Sequence, residues 1–221
     1  MMGYRAEYSF CLTGSTPLLM HADDIDWADE LEIWRKDRNN RGQSKAGDDR
    51  SPAWTWQGYL YRDAEGKIAI PYEMVMAALK NAGAQIIWKK QKSFKEKTQS
   101  GLSARTEFFE FYYGPDNRQL TISDLPKREE TYIQQKQHVE KDLGFLLFAK
   151  RAKVGQSKHV RIRPRFEQWS VRGQIIVTDA DITPEILQQL FEVSGSVGLG
   201  DWRPSSKSPG PFGQFEVQLS K

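Results

Sequence analysis

The residues with most capacity for chemistry in this 221-residue chain are cations grouped without acids, together with a glycine-rich segment that follows them. Lys150, Arg151, Lys153, Lys158, His159, Arg161, Arg163 and Arg165 succeed one another with no Asp or Glu between Lys150 and Arg165. Such a cluster suits phosphates, because each phosphate neutralised releases condensed counterions. Val160 to Phe166 alternates apolar residues or proline with arginine, so three arginines share one strand face. That face either grips a polyanion or is simply solvated. The second stretch, Gly195 to Gly213, holds five glycines, three prolines, one tryptophan and two cations. Glycine lets a backbone approach a ligand closely, and proline limits how far the loop can flex. Exposed N–H groups in succession, with Arg203 and Lys207 beside them, suit a phosphate chain. Gly198, Gly200 and Trp202 complete this candidate contact set. Trp202 either stacks on a base or packs on the preceding helix, and the loop as a whole either holds a ligand or holds nothing. Lys89, Lys90, Lys92, Lys95 and Lys97 form a third basic group, opposed only by Glu96.

Proton-transfer candidates are few. His21 and His159 titrate near neutrality and could move a 2′-hydroxyl proton, and Asp23 or Asp24 are the only other catalytic candidates. A histidine in a basic strand is also an ordinary RNA contact. Six acids between Asp23 and Glu32 could offer oxygen ligands to a divalent ion, but they lack calcium-loop spacing; a solvated helix face is the competing reading. The sequence shows no metal-ligand pattern, no Ser–His–Asp pattern, no Walker motif and no dinucleotide fingerprint, so we expect neither metal nor cofactor.

These residues need positioning elements. Tyr4 to Thr13 alternates and predicts a first strand. Ile25, Trp27, Leu31 and Trp34 predict one face of a short acidic helix, and Arg35 to Ser51 a mobile polar loop. Trp54, Trp56, Tyr59 and Tyr61 predict a strand with an aromatic face. After a turn at Asp63–Gly66, Pro71 opens a helix over 71–83 with Val75, Met76, Leu79 and Ala82 as its stripe. Ser100 to Arg105 is expected to be exposed. Phe108 to Tyr113 predicts a further strand, ended by Gly114 to Asn117. From Leu125 to Asp142 the pattern is polar, with Tyr132 and Ile133 as anchors. A basic turn at 155–157 separates two strands, and Trp169 to Asp179 is the most strand-like run. Thr183 caps a helix with Pro184 at its first position. Ile186, Leu187, Leu190, Phe191, Val193 and Val197 supply the core stripe of that helix, and Gly195 and Gly198 end it. Phe215, Val217 and Leu219 share the inner face of a last strand. Strands at both ends with helices between them predict an α+β, ferredoxin-like antiparallel sheet with its helices on one face.

By its length the chain is expected to be one domain with an insertion, or two small ones. Hydrophobic residues make up 38% and charged residues 28%, which predicts a soluble globular protein large enough to bury a core. No apolar run reaches membrane-span length, and the N-terminus lacks a signal-peptide core. Cys11 is the sole cysteine, so no internal disulfide is possible and a cytoplasmic location is the default. A net charge of +3 is too small to establish a nucleic-acid partner without the clustering described above.

Three segments carry a resemblance. Ile70-Pro71 through Ala78-Leu79-Lys80 resembles the helix opening of the RAMP superfamily of CRISPR-associated proteins. Gly198-Leu199-Gly200-Asp201-Trp202-Arg203-Pro204, with Gly210-Pro211-Phe212-Gly213-Gln214-Phe215, is similar to the glycine-rich loop before that superfamily's last strand. Phe10 to Leu19 is similar to its first strand and the loop after it. The resemblance covers the first 20 residues or so, 66–84 and 170–219. It implies a single RRM-like domain over 1–221, with insertions at about 21–56 and 85–160, that binds single-stranded guide RNA, closest to the backbone subunit that coats and polymerises along the guide in an antiviral ribonucleoprotein. The implied partners are that RNA and other effector subunits or copies of the chain itself, with no membrane. Other members imply alternatives: a processing endoribonuclease using His159, His21 or Asp23, or a stand-alone or virus-borne interaction module or inhibitor. On the RNA-binding reading, reversing charge at Arg161 and Arg163 releases RNA without unfolding the protein.

Overall fold

A computed structural model describes residues 4–43, 47–88, 92–154 and 157–221. The strands are β1 (Ala6–Gly14), β2 (Leu18–Leu19), β3 (Ala69–Pro71), β4 (Ile87–Trp88), β5 (Lys92–Ser93), β6 (Leu102–Ser103), β7 (Phe108–Tyr113), β8 (Leu146–Val154), β9 (Ser157–Phe166), β10 (Trp169–Val177) and β11 (Phe215–Ser220). The helices are α1 (Ile25–Lys36), α2 (Tyr72–Gly83), α3 (Lys95–Gly101), α4 (Tyr132–His138) and α5 (Pro184–Val197).

The central sheet runs β11-β1-β10-β7-β3, with β6 pairing the far end of β10, and every pairing in it is antiparallel. Taken as β1-α2-β7-β10-α5-β11, the chain traces the ferredoxin-like order expected of an α+β protein. Period-2 alternation explains why one side is apolar. Tyr8, Phe10 and Leu12 of β1, with Val171, Ile175 and Val177 of β10, are buried. Phe10 meets Phe191 of α5 at 5.3 Å and Phe109 at 5.0 Å. α5 starts as its sequence dictates, with the Thr183 hydroxyl accepting from the Ile186 N–H and Pro184 in its first turn. Its stripe of Leu187, Leu190, Phe191 and Val197 is buried, at about 1.5–3 kcal/mol per large side chain. Gly195 ends nothing; it lies inside the helix, where a Cβ would sit 2.2 Å from the Phe215 carbonyl oxygen.

A second sheet, β2-β9-β8, stands beside the first and shares its core through Phe166, which contacts Phe111, Tyr113 and Phe145. Several expectations fail here. Trp54 to Tyr61 is a 3-10 turn at Thr55–Tyr59 rather than a strand. The two tryptophans are buried in different places. Trp56 donates to Gln135 at 2.8 Å, while Trp54 meets Trp27 edge-on at 5.0 Å. Helix α1 buries only Trp27; Ile25 is 76% exposed and Ile33 71%. Its tie to the body is the Arg128 guanidinium, seated over both Trp27 and Trp54 and paired with Glu30 at 2.6 Å. In α4 the anchor is buried Gln135 rather than exposed Ile133. The end of the 35–51 stretch is pinned, because Gly47 to Asp49 run along the edge of β9: Val160 N–H donates to the Gly47 carbonyl at 2.8 Å, and Asp49 N–H to the Val160 carbonyl at 3.0 Å. Within Ser100 to Arg105, Gly101 and Leu102 are buried and β6 joins the sheet. No helix among the described residues is long and apolar enough to cross a membrane.

Candidate nucleic-acid interface

The β8–β9 hairpin is in register from Leu146 opposite Arg165 to Val154 opposite Ser157. Phe148, Lys150, His159, Arg161, Arg163 and Arg165 therefore share one face. The glycine-rich loop packs on the same face. Phe148 lies 5.9 Å from Trp202 and 5.5 Å from Phe212. Lys150 Nζ sits 4.3 Å over the Trp202 ring. The two stretches with most sequence-level promise thus meet.

Their chemistry differs from the expectation in two respects. First, the arginines have acids that the local sequence does not show. Asp49, 2% exposed, accepts from Arg161 at 2.9 Å, from Arg163 at 3.3 Å and from the Ile162 N–H at 3.1 Å. Asp201 accepts from Arg163 Nε at 2.9 Å. The Arg163 side chain is 5% exposed and lies over the Tyr59 ring. Arg165 pairs with Glu167 at 2.8 Å. Arg161, Arg163 and Arg165 are therefore internal ties rather than a free phosphate grip. Charge reversal at Arg163 would bury an uncompensated carboxylate beside two others, so it should unfold the protein before it tests RNA binding.

Second, the loop's N–H groups are largely spent within the protein. Leu199 donates to Gly213, Asp201 to Leu19 and Gly213 to Pro17, at 2.8–2.9 Å; Trp202 donates to the Asp201 carboxylate. Gly200 and Gly213 take φ of +74° and +76°, and a Cβ would sit 2.3 Å from the Leu19 oxygen and 1.8 Å from the Leu199 oxygen respectively. These glycines serve tight lacing to the β1–β2 connection. Gly198 and Gly200 are buried, so they are not contacts for a ligand.

What remains at the surface is a narrower set. Lys150, Arg151, Lys153 and Lys158 are exposed on the outer half of the hairpin. Lys207 is exposed in the loop, and Arg203 is half-buried with its guanidinium on the Gly200 carbonyl. Among the described residues none of these six has a carboxylate within 4 Å. Trp202, on the face of Lys150, takes φ +47°, a conformation that costs an L-residue energy and clusters at functional sites; by the register Arg151, Lys153 and Lys158 lie on the opposite face of the hairpin. Lys92 is exposed in β5, while Lys97, of the same basic group, pairs with Asp179 and Asp181. Lys89 and Lys90 lie outside the described residues.

The histidines separate clearly. His21 follows β2, with its ring edge-on to Tyr59 at 5.0 Å and Nδ1 3.7 Å from the Asp201 carboxylate. Its carbonyl accepts from the Tyr61 hydroxyl at 2.8 Å. Burial, and then the nearby Arg163 charge, hold His21 below the usual histidine range. Burial pushes Tyr61 up to about 12. His159 instead packs beside Gly47, with Arg161 Nη2 3.3 Å from its Nδ1. Asp23 is exposed, and Asp24 caps α1 and pairs with Arg62. Among the described residues no group of three or more His, Cys, Asp or Glu is placed to hold a metal ion.

Sequence reasoning missed Asp49, Tyr59 and Phe148. It had one usable signal for Asp201, the single acid between Val193 and Phe215. No protein-family model matches the chain, and no curated protein matches it.

Proposed function

We propose that the protein binds single-stranded RNA, as the resemblance to the RAMP backbone subunit implies, through the outer half of the β8–β9 hairpin and the loop around Trp202. One observation carries the reading: among the described residues the exposed hairpin cations Lys150, Arg151, Lys153 and Lys158 have no carboxylate within 4 Å, and Lys150 lies over the Trp202 ring, which is held at positive φ. Phosphates would lie along Lys150, Arg151, Lys153 and Lys158, and a base would stack at Trp202, a sequence-tolerant contact. Guide RNA in a cytoplasmic CRISPR-type ribonucleoprotein, with neighbouring subunits or further copies of the chain, is the setting we infer. Fluorescence anisotropy with a single-stranded oligoribonucleotide tests it. Affinity should fall linearly on a log–log plot against salt, with a slope of about −3 for four phosphate contacts. A flat salt response, or no binding, would reject the reading.

A second reading, metal-independent RNA cleavage, is favoured by the His21 surroundings. A neutral imidazole with the Asp201 carboxylate 3.7 Å from its Nδ1 can accept a 2′-hydroxyl proton. The 2′-oxygen would then attack phosphorus, and the 5′-oxygen would leave as a hydroxyl with the proton given back by the imidazolium. Cleavage products ending in a 2′,3′-cyclic phosphate, absent with His21→Ala, are the expected result; intact RNA with the wild-type protein rules cleavage out.

A further inference from the structure

The ferredoxin-like order puts α2 and α5 on one face of the central sheet and leaves the other uncovered. Pairing register places Ser9, Cys11 and Thr13 of β1 on that open face with Ser170, Arg172 and Gln174 of β10, and with Glu110 and Tyr112 of β7. Two adjoining grooves cross it, of about 690 Å³ and 400 Å³, both lined by Cys11 and Arg172. Both volumes lie within the range of small-ligand sites, roughly 300–1,000 Å³.

Three features indicate what the face would take. The Arg172 guanidinium lies 4.7 Å over the Tyr112 ring and, among the described residues, has no carboxylate within 4 Å. Tyr112 is itself oriented by donating to Glu110 at 2.9 Å, and Glu7 is occupied by Arg5 and Arg105. The outer side of the guanidinium is thus a flat cationic surface on which a nucleobase stacks. Gln174 and Gln218 flank it with amide groups able to pair with a base edge. The Ser170 hydroxyl lines the smaller groove, is buried, and has no hydrogen-bond partner among the described residues. A buried hydroxyl of this kind is stabilised when a ligand or water supplies the missing partner.

We propose that the open sheet face is a second nucleic-acid contact that takes one or two nucleotides of single-stranded RNA, with a base stacked on the Arg172–Tyr112 pair. It rests on the RNA-binding reading and extends the path of the strand away from the hairpin. Cys11, the only cysteine, is half-buried in both grooves and reports on them directly. Its alkylation by iodoacetamide, followed by intact mass, is measured with and without a saturating oligouridylate whose binding is read separately by anisotropy. Alkylation should slow several-fold when RNA is bound. Arg172→Ala and Tyr112→Ala should each weaken RNA binding by roughly 5- to 100-fold without lowering the melting temperature appreciably, since both side chains face solvent. RNA bound at full affinity by both variants, with Cys11 alkylated at its free rate, overturns this inference and leaves the hairpin reading standing. No RNA bound by the wild-type protein overturns both.

Discussion

The two halves of the β8–β9 hairpin carry similar charge and do different work. At the base, Arg161 and Arg163 are neutralised by Asp49 and Asp201, residues 112 and 38 positions away from their respective partners. Beside and beyond them, Lys150, Arg151, Lys153 and Lys158 are exposed and, among the described residues, have no carboxylate within 4 Å. A basic run in sequence is therefore two objects in space, a clamp that fixes the hairpin to the body and a free surface beyond it. Which cations belong to which is decided by distant acids.

Breaking the clamp should have the largest effect. Asp49→Ala leaves buried Arg163 with Asp201 alone and orphans the Ile162 N–H, which should cost about 3–5 kcal/mol of stability, read as a lowered denaturant midpoint. An unchanged midpoint would mean that the base is no clamp. Reversing charge on the outer half should leave stability within about 0.5 kcal/mol. Lys153→Glu with Lys158→Glu should reduce the salt slope of RNA binding in magnitude by about 1.4, two contacts at ~0.7 each for a single strand. Equal loss of stability from both variants would erase the distinction. The smallest effect concerns pH. His21 binds a proton less readily folded than unfolded, so the unfolded state takes up more protons as pH falls below about 6.5. Stability should therefore decline on acidification through that window, and His21→Gln should flatten the decline. A slope that survives the substitution would place its origin in other groups.

The parts of the fold visible in the sequence were those where local pattern and tertiary demand agree. Alternation in β1, β7 and β10, Pro71 before α2, and the Thr183–Pro184 opening of α5 each state one structure locally, and each packs as stated. Trp54 to Tyr61 shows the opposite case. Its even spacing satisfies a strand template, yet Trp54 completes the seat for Arg128 and Trp56 reaches Gln135, two separate clusters that a 3-10 turn can serve and a single strand face cannot. At the candidate site, the meeting of the hairpin and the glycine-rich loop was foreseeable from shared charge character. The sorting of the arginines was not. Asp49 lies in a polar stretch whose composition suggests no fixed place, and nothing near it in sequence points to β9. For Trp202 the sequence offers two readings, stacking on a base or packing on α5. It packs on Phe148 of the hairpin, which neither reading named.

Strand β1 lies between β10 and β11, pairing with Val177 at one end and Phe215 at its other edge. During synthesis on a ribosome, β1 must wait for more than 150 further residues before either neighbour emerges. Contacts this remote in sequence make for slow folding, and an unpaired strand invites wrong partners meanwhile. Closure of the central sheet around β1 is therefore a late event, fixed by the last strands to be made.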